Sequence, residues 1–364
     1  MLDSLTIDEA AVQEEFFTRG WTDGLPIVPP TPERVEAMVD VIEGDPETLI
    51  GVIPARNRGV TIEQAATNAV MAGCLPEYFP VVLAALEAMF DPAFNAHTAL
   101  SSTGGAALCV VVSGPIAAEI DMNARSGVLG PGNRANATIG RALRLVARNV
   151  LGARTGEMDA SSFGHPGKYS FTVPEDPPPA PWRTLAEELG YAAGDTTVTL
   201  LPLEGPHQIA HQLDGEPERV LRTVAACMKN PAAFCAGKGA QGLVMLGPEH
   251  AWFCIEAGWS QRDVREFLFR ESMISVDELE AAGVALEPDG HHDMIPDSDG
   301  MLKCLGSPDE IYLVTCGGEG AGWSAYAPSW APKIHATAVT RRVRPAGEPL
   351  PDCGPDGCLV PWAR

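Results

Sequence analysis

One run of the chain, Gly130-Pro131-Gly132-Asn133-Arg134-Ala135-Asn136-Ala137-Thr138-Ile139-Gly140-Arg141, has residue types suited to binding a small anion. Two arginines lie in a glycine-rich turn that leads into a helical pattern. The protein around them is acidic, with 25 basic and 48 acidic residues and a formal net charge of −23. A helix start offers free N–H groups and a partial positive charge, and glycine lets a ligand come close to the backbone. Asn133, Arg134, Asn136 and Arg141 are therefore candidate substrate-binding residues; the plainer reading is a helix start with a flexible approach. Two more small-residue loops, Ser101-Ser102-Thr103-Gly104-Gly105 and Gly237-Lys238-Gly239-Ala240-Gln241-Gly242, each precede an apolar strand-like run. Ser101, Ser102, Thr103 and Lys238, together with Lys168, offer hydroxyls and positive charge for a carboxylate or phosphate. The chain has no Gly-x-x-x-x-Gly-Lys-Ser/Thr and no Gly-x-Gly-x-x-Gly in the right context after a strand, which argues against an ordinary nucleotide site.

Candidate reacting groups are fewer. His207 and His211 are four residues apart, and on a helix they would share one face, the spacing of paired metal ligands. A third ligand would come from His250, His165 or the His291-His292-Asp293 run, so one divalent transition metal is a candidate cofactor. No glutamate completes a metalloprotease pattern, and acid–base work by His207 or His165 is the competing reading. Cys74 reads as lying between two helices, where a helix N-terminus would lower its pKa and make it a nucleophile; as a bland alternative it is a small buried side chain. Cys109, Cys227, Cys235 and Cys254 lie in apolar runs and read as core, and Cys316 is a weaker candidate. Cys353 and Cys358 do not form a Cys-x-x-Cys pattern. Asp23, in the turn Trp21-Thr22-Asp23-Gly24, has its direction fixed by the following prolines and joins the catalytic candidates.

These groups need elements to hold them. Leu2 to Gly20 reads as a short amphipathic helix, and Thr31 as the cap of a helix that begins at Pro32. Beyond this the chain looks duplicated. The apolar helix Val82–Phe90 before Pro92 matches Val220–Met228 before Pro231. The strand-like Leu108 to Val112, ending in Gly114-Pro115, matches Leu243 to Leu246 with Gly247-Pro248. Gly164 to Ser170 matches Gly317 to Ser324, and Ile50 to Pro54 before a helix holding Asn68 matches Val198 to Pro202 before a helix holding His207. The expected fold is α/β, with two duplicated halves related by a pseudo-twofold and extended terminal arms. Its parts are 1–45 (N-terminal arm and helix), 46–173 (first repeat), 182–340 (second repeat) and 341–364 (tail). The loops of the two halves would face each other across a cleft, and the tail would suit a homodimer.

Composition narrows the partners. A pI near 4.6, with no basic stripe, argues against nucleic acid and anionic membranes. No apolar run is long enough to span a bilayer, and the acidic N-terminus lacks the apolar core of a signal peptide. Nine scattered cysteines fit reduced thiols in a cytoplasm.

The segments Trp21-Thr22-Asp23-Gly24-Leu25-Pro26, Asn68-Ala69-Val70-Met71-Ala72-Gly73-Cys74, Asn133 to Arg141 and Gly164 to Tyr169 together resemble a largely uncharacterised bacterial family. Its members are associated with small thiol or selenol proteins carrying a Sec/Cys-Gly-Ser-Cys motif, the UGSC family. The resemblance implies an enzyme subunit working near thiol chemistry, although this chain has no Cys-Gly-Ser-Cys of its own. The leading expectation is an enzyme that cleaves a small anionic substrate by lyase- or hydrolase-type chemistry, with Arg134, Arg141 and Lys168 binding it. The alternatives are a metal-dependent enzyme built on His207 and His211, and a subunit that presents substrate to a small thiol protein.

Overall fold

The computed structural model describes residues 6–8, 10–284, 294–320, 322–345 and 348. The expected Leu2 to Gly20 helix is the shorter α1 (Val12–Thr18) within these residues, and α2 (Pro32–Asp40) follows the Trp21–Pro30 stretch. Thr31 stands at the start of α2 as expected, but its hydroxyl makes no capping bond; Pro32 supplies the fixed φ of the first turn. Phe16, Ile27, Met38 and Val39 are buried in the first core. Residues 10–45 are therefore packed onto the protein rather than extended as an arm.

An antiparallel ribbon, β1 (Leu49–Ile53) with β2 (Arg58–Thr61), leads into α3 (Ile62–Ala72). Thr61 and Gln64 form a capping box at its start, and Gly73, at φ 96°, ends it in a left-handed conformation open to glycine. Next come α4 (Phe79–Phe90), almost wholly apolar and stopped at Pro92, α5 (Ala96–Ser101), β3 (Ala107–Ser113), α6 (Ile116–Glu119), α7 (Arg134–Asn149) and β4 (Thr172–Pro174). The chain continues through α8 (Leu185–Glu188), β5 (Thr197–Leu203), β6 (His207–Ala210), α9 (Pro217–Met228) and β7 (Ala240–Leu246). It closes with α10 (Pro248–Glu256), α11 (Gln261–Glu271), β8 (Ile274–Ser275), α12 (Val276–Ala281), β9 (Met301–Leu302), β10 (Ile311–Thr315), β11 (Trp323–Pro332) and β12 (Val339–Arg342).

The main sheet is mixed, in the order β10-β7-β11-β5-β3-β4, with β6 added to β11 and β12 added to β5. The outer pairs β10–β7 and β3–β4 are parallel, and the pairings between them are antiparallel. Leu108, Val110 and Val112 of β3 pack with α3, α4 and α7. The alternate residues Ala107, Cys109 and Val111 join Leu243, Met245 and Val314 in an interior built mainly from strands. The sheet curls until its outer strands approach each other around that apolar interior. Beyond β4, the Asp176 N–H donates to Thr315 O of β10 at 2.8 Å, and the Thr315 hydroxyl donates back to Asp176 O. The helices lie outside, and α9, α10 and α11 cover the other end of the sheet. No single helix among the described residues is long and apolar enough to cross a membrane.

Several expected correspondences fail. The 46–173 and 182–340 segments share one sheet, because β5 pairs with β3 along its whole length. Val198–Pro202 lies in that central strand, whereas Ile50–Ile53 lies in the separate ribbon, so the two are not equivalent. Gly164 comes before its parallel strand, β4, and Gly317 comes after its own, β10. His207 is on strand β6, not on a helix. The Gly205-Pro206 break leads directly into backbone pairing with β11, where His207 faces Tyr326 and Ala210 faces Trp323. At the other end, residues 341 and 342 belong to β12; Cys353, Cys358 and the rest of the predicted tail, apart from 343–345 and 348, lie outside the described residues.

Candidate functional site

Most of the candidates near α3 are committed to the fold. Arg141 Nε donates to Asp23 Oδ2 and its Nη2 to Asp23 Oδ1, both at 2.8 Å. The same guanidinium reaches the carbonyls of Ala72 (3.3 Å) and Pro26 (2.9 Å). Burial pushes the Asp23 carboxyl up, but the hydrogen bond and charge of Arg141 more than offset this and hold it below its usual range. Arg134 Nε donates to Gly73 O at 2.8 Å and so caps the end of α3. Asn133 caps α7 and also donates to Asp121 O. The Asn136 amide accepts from Asn123 N–H and donates to Asn123 O and Val128 O. Asn68 accepts from the Asn149 amide at 2.8 Å and so joins α3 to α7.

Cys74 follows Gly73 and therefore sits past the C-terminus of α3, at the negative end of the helix, not at a helix N-terminus. It is buried, and burial lifts its thiol to about 12 against the smaller opposing effects of Thr138, Arg134 and Arg141. The thiol therefore lacks the helix N-terminus expected to activate it. All seven described cysteines have pKa values raised chiefly by burial.

Among the histidines, the His211 and His250 rings pack edge to face, with centroids 6.3 Å apart. His207 is exposed, while His211 is buried with its Nδ1 2.9 Å from the Thr223 hydroxyl, which itself donates to Arg219 O. Thr223 Oγ1 therefore accepts from His211 Nδ1–H. His250 Nδ1 meets Ser324 Oγ at 2.7 Å and its Nε2 donates to His211 O. Among the described residues no three or more His, Cys, Asp or Glu side chains are grouped to hold a metal ion. His291, His292 and Asp293 lie outside those residues. His165 donates from Nε2 to Leu203 O at 3.3 Å and accepts from Gly167 N–H at Nδ1. Burial lowers its pKa, so it is a neutral ring that orders its loop. Lys238 lies over the Phe234 ring at 4.0 Å, and Ser101 donates to His97 O at 2.8 Å.

Other predicted residues do come together with a group not singled out above. Arg141, Arg144 and Arg148 follow one another along one face of α7. Asp159, in the loop after that helix, is 2 % exposed. Its carboxylate accepts from Ser161 Oγ (2.5 Å), Lys168 Nζ (2.9 Å) and Arg144. These bonds and the Arg144 and Lys168 charges overcome burial and bring Asp159 down to about 2. Lys168 Nζ also reaches Ser161 Oγ at 2.5 Å, and burial is the largest influence lowering its pKa. The Ser102–Thr103 loop docks on the same segment: Ser162 N–H donates to Thr103 O at 3.0 Å, and Ser161 Oγ lies 3.5 Å from Ser102 O. A Cβ on Gly105 would stand 2.9 Å from Gly164 Cα, so glycine at 105 allows this approach, and a Cβ on Gly164 would press on Lys168 Cδ at 3.0 Å.

Arg148 and Arg154 have no such partners. Both are half-buried, and neither side chain makes a hydrogen bond or ion pair with the described residues. Arg148 Nε is buried outright. Burial, with Arg154 and Arg144 next in effect, lowers the Arg148 pKa. The last turn of α7 favours positive charge by about 0.3–1 kcal/mol, but it leaves the buried Nε without a hydrogen-bond partner. The periodicity of Arg141, Arg144 and Arg148 was readable in the sequence; the return of Arg154 and Asp159 to that face depends on the loop. No protein-family model matches the chain, and no curated protein matches it.

Proposed function

We propose that the protein is an enzyme that takes a small anionic substrate against the arginine face of α7 and the 154–168 loop, and cleaves it by lyase- or hydrolase-type chemistry. The observation that carries this reading is Arg148: a half-buried cation without a partner, in a chain where acids outnumber bases 48 to 25. Leaving such a donor unsatisfied costs stability, and a ligand oxyanion would repair it. Asp159 already pairs with both Arg144 and Lys168, so Arg148 and Arg154 are the cations left without a carboxylate, and Lys168 with Ser161 offers polar groups to the reacting bond. Thermal stabilisation by a panel of small carboxylates and phosphates, lost in Arg148→Ala, tests the reading; no stabilisation by any of them would remove it.

The palindromic order of the main sheet supports a further inference of descent by duplication, with β3–β4–β5 answering to β7–β10–β11. A second functional reading is a subunit that presents its substrate to a separate small thiol or selenol protein. The burial of six of the seven described thiols, with Cys227 partly buried, favours it, since any reactive sulfur would then come from elsewhere. Turnover that requires both proteins, with none by this chain alone, would select it.

A further inference from the structure

The turn after α7 gathers more positive charge than the fold uses. Ala153 N–H donates to Ala147 O and Arg154 N–H to Gly152 O, both at 2.8 Å, with Gly152 at φ 80°. This reversal carries Arg154 back beside the last turn of α7, which bears Arg148. Electrostatically, Arg154 acts on Arg148 more strongly than Arg144 does, although Arg144 is one helical turn away on the same helix. Arg58 reaches the same turn from β2: its Nη1 donates to Val150 O at 3.0 Å, and it has no acidic partner among the described residues.

We propose that Arg148 and Arg154, with Arg58 at the rim, clasp a compact dianionic oxyanion of the phosphoryl type. The inference rests on the anion-directed reading above and names the substrate class. A single tetrahedral group presents several oxygens to two neighbouring guanidinium forks, each of which favours paired N–H···O bonds. A monocarboxylate has one charge and two oxygens, and would satisfy only one fork. Asp159 stands next to this pair as the protein's own carboxylate on Arg144 and Lys168, so the ligand's charge falls to the remaining arginines.

Calorimetric titration of the full-length protein with inorganic phosphate, methyl phosphate and acetate at low ionic strength tests this. Phosphate is expected to bind at least about tenfold more tightly than acetate, with Arg148→Gln and Arg154→Gln each weakening it by about tenfold. Arg154→Gln alters a turn residue rather than a helix, so it keeps the test open if the Arg148 variant misfolds. Methyl phosphate binding as well as phosphate supports a monoester ligand, whereas binding of the free ion alone supports inorganic phosphate at the same site. Acetate binding as tightly as phosphate would overturn the dianion assignment and leave the anion reading standing. Binding of no anion would overturn both, and phosphate binding that survives both variants would overturn the placement.

Discussion

Arg141 and Asp23 form a two-pronged ion pair, 2.8 Å at each contact, that ties the Trp21–Pro26 turn to α7. Their side chains are only 13 % and 6 % exposed, so removing one partner strands a charge in a low-dielectric setting. Asp23→Ala and Arg141→Ala should each cost about 3 kcal/mol in denaturant unfolding. The double variant should lose less than the sum of the two. Independent, additive losses would show that the pair is not a unit.

Arg148 should behave in the opposite way. Replacing it with alanine removes an unpaired, half-buried charge, so stability should stay level or rise by about 1 kcal/mol. Phosphate binding should weaken by at least about tenfold. A variant that unfolds like Arg141→Ala would make Arg148 a structural residue.

The thiols give a chemical test. With burial lifting it to about 12, Cys74 should be almost unlabelled by iodoacetamide at pH 7.5 in the native state and label fully on unfolding. Cys74→Ala should keep its anion binding. Fast native labelling of Cys74, located by mass spectrometry, would restore it as a nucleophile.

Two buried carboxyls shape stability in separate pH windows. Asp159 is lowered from 3.8 to about 2, so its contribution is present above pH 3.8 and is lost as pH falls through 2. Glu175, hydrogen-bonded to Ser113 and Leu185 N–H, is raised from 4.5 to about 7, with burial as the chief cause. Its contribution is complete below pH 4.5 and fades as pH rises through 7, by on the order of 3 kcal/mol. Glu175→Gln should remove this neutral limb and leave the protein more stable than wild type at pH 8. Urea midpoints across pH 2–9 check both limbs; a wild-type curve flat from 4.5 to 8 would contradict the Glu175 assignment.

Much of the local structure was legible. Leu108–Val112 and Leu243–Leu246 fall inside β3 and β7, and the proline-stopped apolar runs are α4 and α9, because strong periodicity and stop signals act locally. The four-residue spacing of His207 and His211 misled, since β6 is created by its partner β11, a tertiary influence that a local pattern does not contain. For Cys74 the signal was present: Gly73 is a helix stop, which puts the thiol at the wrong end of α3. Lys168 was identified from its charge and glycine setting, but Asp159 and Ser161 gain meaning only when the loop brings them together.

The most direct measurement is anomalous diffraction at the selenium edge from crystals soaked in selenate, a tetrahedral dianion. A selenium peak is expected between Arg148 and Arg154. A peak at the Gly130–Asn133 turn instead, or none where both guanidinium groups face open solvent, would contradict it.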